Sequence, residues 1–304
     1  DVDGFVNRDE YASATDPTNT DSFLHIETLG LSGSNAPILQ WPCLQSGRVA
    51  TVEWTPGADA RYRSQTCFLD ALTPANVFTD IVTKTGSLAL YRVKAGLPAA
   101  RAPTNGLLAY YPFDWNAEDA SGNNRHGTVT GAALTSNRFG RVRRAYSFSG
   151  SDHIQLPGGY TLFRKPQLTF SAWICPTGTS GSIYWEYFTG TQEWPVYAVR
   201  LQSNASLEVF MANSGSYATP SNSLPLGQWS FVATRLEDGE TTNGILTVLI
   251  NQNTYTFNAI RADYADRTMY TKLGNGFAGG LDAVRIFTNA LTDIELHYLF
   301  REAQ

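Results

Sequence analysis

Along most of the chain, apolar residues alternate with polar ones or fall in short runs, and clusters of Gly, Pro, Asn, Ser and Thr close each run. A period of two belongs to strands that bury one face, whereas helices repeat near 3.6. In the first third, Phe23–Leu31, Ile38–Leu44, Val49–Trp54, Tyr62–Leu69, Val77–Val82 and Leu88–Lys94 read as strands between Ser-Gly, Thr-Pro-Gly, Thr-Pro-Ala-Asn and Thr-Gly turns. Later runs are Ala145–Phe148, His153–Leu156, Leu168–Ile174, Ser182–Phe188, Val196–Gln202, Ser206–Met211, Trp229–Leu236, Ile245–Ile250, Asn253–Phe257 and Leu281–Phe287. No helix-period segment of ordinary length interrupts them, so these strands are expected to pair antiparallel in stacked sheets. Only residues 292–303 read as a helix, with Thr292 as N-cap and Glu295 completing a capping box.

Composition agrees with the pattern. Aromatics make up 12% and charged residues 16% of the chain, with 26 Gly and 14 Pro, a balance rich in strands and turns. The fold class is all-β. At 304 residues the chain exceeds the roughly 250 to 300 at which single cores stop growing, so two sandwiches are expected. GLPAARAPTN, with its prolines and small residues, reads as a linker. The expected division is 1–22 as a leading segment, 23–95 as a small sandwich, 96–105 as the linker and 106–304 as a larger sandwich.

The net charge of −5, on a chain read as lacking any Lys/Arg cluster, argues against nucleic acid or an anionic membrane as partner. No apolar run approaches the roughly 20 residues of a membrane-spanning helix, and no signal-like segment opens the sequence. A soluble chain is expected, any export signal having been removed upstream. Cys43 and Cys67 fall in one expected module and Cys175 in the other. A Cys43–Cys67 disulfide and an oxidising compartment are the favoured reading, with three reduced, buried thiols as the alternative.

The first ten residues, DVDGFVNRDE, fit an EF-hand-type calcium loop from its third position onward. Asp1 and Asp3 would supply oxygens, Gly4 the sharp turn and Glu10 the closing bidentate carboxylate. On that reading the first ligand preceded Asp1 and the chain is a processed or partial product. The plainer reading is a solvated acidic terminus. The following EYASATDPTNTDSF resembles the ending of thrombospondin type 3 or dockerin-like calcium repeats of large secreted bacterial proteins, with Ala14 in place of the usual Gly. That resemblance implies a small sandwich next, and the strand spacing of 23–95 suggests a fibronectin-III-like module with Trp41 and Trp54 in its core.

Five further segments occur in a telling order: LLAYYPFDWNAEDASGNNRHGTV, AYSFSGSDHIQLP, LTFSAWICP, LGQWSFVA and GGLDAVRIFTNALTDIEL. Residues 107–302 thereby resemble a laminin-G-like domain of the concanavalin-A-like sandwich superfamily. In the first segment, Asp114, Asp119, Ser121, Asn123 and Asn124 gather the oxygens a hard cation needs, and calcium is the expected cofactor. The resemblance implies a closing carboxylate from the last strand. Asp282 takes the first of the two acidic positions there, while Ala283 replaces the second. A different reading has Asp114 and Asp119 accepting backbone N–H bonds at turns.

Some sandwiches of this superfamily cleave polysaccharides with paired carboxylates. Glu186 and Glu193, in IYWEYFTGTQEWPVY, are the only acidic pair beside aromatics. Their odd separation puts them on opposite sides of one strand, whereas a hairpin could reunite them. No G-x-S-x-G elbow and no zinc-like Cys/His spacing occurs. Exposed aromatics could instead stack on sugar rings, and Trp115, Trp185 and Trp194 are the candidate ligand contacts. The expectation is a non-enzymatic adhesion or recognition protein, extracellular or at the cell surface, whose partner is a glycan or an extracellular protein. A self-assembling subunit of an extracellular filament or coat, matured by cleavage, is the alternative. Polysaccharide hydrolysis comes third.

Overall fold

The computed structural model describes residues 24–33, 36–42, 48–57, 62–70, 75–80, 89–97, 99–158, 166–189, 193–212, 214–237, 244–259 and 269–302. The chain forms two compact units. One comprises residues 1–102 with 252–256 and 292–304, and the other 103–251 with 257–291.

In the first unit the strands are β1 (Thr28–Leu31), β2 (Pro37–Pro42), β3 (Val49–Thr55), β4 (Arg63–Asp70), β5 (Ala75–Thr79) and β6 (Leu90–Gly96). They pair as β1-β2-β5 and as β6-β3-β4, antiparallel throughout. Leu39 and Trp41 from the first set meet Ala50 and Val52 from the second, with Ile26, Phe78, Tyr91 and Val93 around them. Trp41 and Trp54 are both buried, as their apolar settings in the sequence require. The helix α1 (Asp293–Arg301) starts at Thr292, whose hydroxyl accepts from the Glu295 N–H while Glu295 reaches back to the Thr292 N–H. That reciprocal cap satisfies two donors that a helix start leaves unpaired.

The second unit continues with β7 (Leu107–Tyr111), β8 (Thr128–Thr130), β9 (Ala133–Thr135), β10 (Ala145–Ser149), β11 (His153–Leu156), β12 (Leu168–Pro176), β13 (Gly181–Thr189), β14 (Glu193–Leu201), β15 (Leu207–Met211) and β16 (Gly215–Ala218). After these come β17 (Ser230–Glu237), β18 (Ile245–Ile250), β19 (Asn253–Asn258), β20 (Met269–Leu273) and β21 (Ala278–Phe287). The start of β19 is counted with the first unit, where Asn253 stands in register with Thr66. One sheet of the second unit runs β18-β17-β12-β21-β10-β9, with β7 also on β21, and the other runs β16-β15-β14-β13-β20-β11-β8. The two sheets face each other through large side chains. Phe170 of β12 and Tyr184 of β13 have ring centroids 5.1 Å apart, and the hydroxyls of Tyr197 and Thr234 meet at 2.7 Å.

Strand β21 has a discontinuity that matters below. β10 pairs with Ala278–Leu281 and β7 with Val284–Phe287, so two strands take successive stretches of it. Between them lie Asp282 and Ala283, the latter at φ +49°, and the opposite neighbour β12 shifts register between Ser171 and Trp173. The strands β8, β9, β16 and β20 go beyond the sequence expectation. The first three have only three or four residues, none of them buried, so little apolar alternation marks them, and β20 is a short segment with Thr271 and Lys272 within it.

Candidate functional site

β13 lies between β14 and β20, and strand alternation sorts its side chains. Tyr184 and Glu186 turn inward. The Tyr184 hydroxyl donates to Glu186 Oε2 at 3.1 Å, and its ring lies 5.7 Å from Tyr197. Trp185, Tyr187 and Thr189 therefore share the outer face. Register then fixes their neighbours: Lys272 stands beside Trp185 and Gln155, and Tyr270 beside Tyr187.

The contacts on this face are specific. Lys272 Nζ lies 4.9 Å from the Tyr187 ring centroid and 2.5 Å from Glu193 Oε1. The Tyr187 hydroxyl donates to Gln155 Oε1 at 3.2 Å, and the Tyr187 and Tyr270 rings are 5.7 Å apart at 32°. Ala198 stands between Trp185 and Phe210 in one cross-strand row, so a ring, a methyl group and a ring follow one another. Arg200 lies 4.8 Å over Phe210 and pairs with Glu208 at 2.9 Å. His153, two residues before Gln155, is held below its ordinary pKa by burial and then by Lys272, against upward pulls from Glu193 and Asp152. Burial and Glu193 push the Tyr187 phenol up, which keeps it a neutral donor. Flat apolar rings thus alternate with amide, carboxylate, ammonium and guanidinium groups.

The acidic loop after β7 is organised differently. Asp119 Oδ1 accepts from the N–H groups of Tyr110 at 2.9 Å and Ser121 at 2.8 Å, while Oδ2 accepts from the Ser121 hydroxyl at 2.9 Å and the Arg125 N–H at 3.0 Å. Burial alone would raise this carboxyl, but those bonds together hold it below the ordinary value. The Asn123 amide donates to the carbonyls of Leu107 and Leu108, at 3.0 Å each. Asp114 pairs with Arg144. Asp282, at the gap in β21, pairs with Arg138 at 2.5 Å, both side chains being buried.

In this structure the residues of the expected calcium set, Asp114, Asp119, Ser121, Asn123 and Asp282, take other partners. Calcium takes about six to eight oxygens with lone pairs to give. Asp119 offers about four lone-pair sites, and the protein's own donors meet all of them. Asp114 and Asp282 each face a guanidinium, which repels a second cation. Among the described residues, no group of three or more His, Cys, Asp or Glu is placed to hold a metal. Asp119 thus makes the bonds of the turn-capping alternative. Asp1, Asp3, Glu10 and Cys43 lie outside the described residues, as does the Cys67 side chain.

Other candidates separate too. Glu186 faces the interior, whereas Glu193 is exposed on the outer face, so the hairpin does not reunite them as a catalytic pair. Trp194 stands opposite Phe188, which alternation places on the face away from Trp185. A cavity of about 20 Å³ bordered by Tyr111, Arg125, Tyr184 and Thr271 has room for one water and not for a sugar. Trp115 is 56% exposed at φ +68°, with the Arg143 guanidinium 5.3 Å from its ring. This last contact reveals what the sequence reading passed over. Arg138, Arg141, Arg143 and Arg144 fall within seven residues, RFGRVRR, a concentration hidden by the acidic total.

The second unit is an all-β sandwich of two facing antiparallel sheets. Residues 148–297 match the family model described as the concanavalin A-like lectin/glucanases superfamily, and a domain of that superfamily is present in this part of the chain. No curated protein sequence matches. Solved structures similar to the chain include domain 4 of AbnA, a GH43 extracellular arabinanase from Geobacillus stearothermophilus, in complex with arabinotriose. It is 24% identical at TM-score 0.47, covering 64% of this chain and 98% of that one. Trypanosoma rangeli sialidase is 15% identical at TM-score 0.51 over 66% of this chain, which spans 33% of the sialidase. The binding domain of botulinum neurotoxin serotype D is 15% identical at TM-score 0.47, over 65% and 52%. The sialidase match shows a shared fold. The expectation that the chain is not an enzyme is corrected by the sialidase matches: a sialidase shares this architecture, so the fold does not set this chain apart from glycosidases.

Proposed function

We propose that the second unit binds carbohydrate on the outer face of its seven-stranded sheet, in an extracellular setting. The observation that carries this reading is the placing of the half-buried rings of Trp185, Tyr270 and Phe210 on one face, beside the buried Tyr187 and with Gln155, Lys272, Glu193 and Arg200 among them. The C–H faces of a sugar ring suit aromatic surfaces, and its hydroxyls need both donors and acceptors. The superfamily domain at 148–297 supports the same reading. A glycan array identifies a bound sugar, and calorimetry then compares Trp185→Ala and Lys272→Met with the parent. A fall of about tenfold or more in affinity for both is expected; unchanged affinity in both sinks the proposal.

On this proposal the first unit is a fibronectin-III-like module. Its extracellular setting makes Cys43 and Cys67 disulfide partners, and two free thiols there in unreduced mass spectrometry would contradict it. One observation favours self-assembly as a second reading. Among the described residues β1 closes the three-stranded sheet with Leu29 and Leu31 exposed at 63% and 67%, an edge to which another copy could add a strand. Ordered polymers lost in Leu29→Lys would support it, and monomers at all concentrations would exclude it.

A further inference from the structure

Two loops of the second unit meet away from the sheet face just described. The segment after β7 carries Trp115, and the β9–β10 connection carries the arginine cluster. The Trp115 N–H donates to the Arg143 carbonyl at 3.0 Å, and Asp114 pairs with Arg144, so the loops are joined through both backbone and side chains. Inside the second loop the buried Asn137 side chain accepts from the N–H groups of Phe139 at 3.0 Å and Arg141 at 3.1 Å, and the Asn137 N–H donates to the Arg141 carbonyl at 3.0 Å. Arg138 turns inward to Asp282. The remaining side chains are thereby held outward.

What they present is amphiphilic. Trp115, Phe139 and Val142 are 56%, 48% and 66% exposed. Arg143 lies 5.3 Å from the Trp115 ring and Arg141 5.7 Å from Phe139, and among the described residues neither has a carboxylate partner. A guanidinium held against a ring keeps its N–H fork free for a carboxylate. Phe113, Trp115 and Arg143 all adopt positive φ, at 57°, 68° and 56°, a conformation uncommon outside glycine. Strain of this kind persists only where the surroundings over-determine it, and it clusters at binding sites.

We infer that Trp115, Phe139, Arg141, Val142 and Arg143 form a docking surface for an acidic polypeptide segment with apolar anchors. Trp and Arg are the side chains that dominate protein interfaces, and the three exposed apolar groups call for apolar partners between the carboxylates. The fixed loops reduce the ordering that binding requires. Charge complementarity selects the class of partner. The two guanidiniums attract acid locally, and the exposed Trp115, Phe139 and Val142 between them call for apolar side chains, which an acidic peptide carries and a nucleic-acid backbone does not.

The test uses the full chain and three labelled synthetic peptides: alternating Glu with Leu and Tyr, the same with Lys for Glu, and Glu with Gly alone. Fluorescence anisotropy should show binding of the first, weakening with salt, and neither of the others should bind as tightly. Arg141→Glu with Arg143→Glu, and separately Trp115→Ala with Phe139→Ala, should each weaken it by about tenfold or more. Lys272→Met, on the sheet face, should leave it unchanged, so failure here is separable from failure of the carbohydrate proposal. Melting temperatures near the parent's keep the exposed-site variants interpretable. Absence of binding by the parent, indifference to both double variants, or equal affinity for double-stranded DNA or phosphatidylserine vesicles would overturn the assignment.

Discussion

The outer sheet face around Trp185 and the loops around Trp115 both set aromatic rings beside cations, yet they are held by different means. On the sheet, alternation and register place each side chain, and neighbours such as Lys272 and Glu193 only adjust it. In the loops, position depends on a few polar anchors: Asp119 with its four bonds, Asn137, and the buried Arg138–Asp282 pair. A face made by a repeating backbone tolerates loss of one side chain. A loop fixed by single anchors does not.

The largest effect should come from Arg138→Ala, which leaves Asp282 buried without its cation at the gap in β21. Such losses run about 3–5 kcal/mol, and denaturation should show it near neutral pH. Burial raises Asp282 to about 6 in spite of Arg138. Its folded value thus exceeds the unfolded one, so the folded state takes up the proton first and Asp282 becomes less unfavourable as pH falls from above about 6 toward the unfolded value. Removing Arg138 raises it further, and the variant's deficit should shrink on acidification. A deficit equal at both ends of that window would contradict a buried, ionised Asp282.

Asp119→Ala comes next. It deprives three backbone N–H groups and one hydroxyl of their acceptor, at about 3 kcal/mol in total, readable as a lowered melting temperature. Here the sign reverses. A carboxyl held below its ordinary value contributes stability above the unfolded pKa and loses it as pH falls through the folded one, so parent and variant should converge only in strong acid. A smaller effect, within about 2 kcal/mol, is expected for Trp185→Ala, because that ring is half-buried and the strand keeps its ladder. Calcium added after chelation should produce no rise in melting temperature; a rise would restore the ion to the loop around Asp119.

Much of the sheet region was legible in the sequence. The apolar run Ser182–Phe188 marked β13, and residues three apart at Thr292 and Glu295 announced the helix cap, whereas Met269–Leu273, with polar Thr271 and Lys272 in a short segment, was not read as a strand. What the sequence could not show was partnership across long separations. Arg138 and Asp282 are distant in the chain, and nothing local says that a guanidinium takes the place beside Asp282 where a calcium ion was expected. Asp119 illustrates the same ambiguity, since an oxygen-rich loop reads alike whether its carboxylate accepts from N–H groups or binds a metal. The arginine cluster was visible but masked by the net charge, and only its pairing with Trp115 and Phe139 gives it meaning. Trp185 and Trp194 looked like one aromatic group until the register of β13 and β14 put them on opposite faces.

The most direct measurement is calorimetric titration of a sugar selected by glycan array into three proteins: the parent, Trp185→Ala and Trp194→Ala. If the outer sheet face binds the sugar, Trp185→Ala loses about tenfold or more in affinity and Trp194→Ala, on the other face, binds like the parent. Loss in Trp194→Ala with normal binding in Trp185→Ala would contradict the assignment.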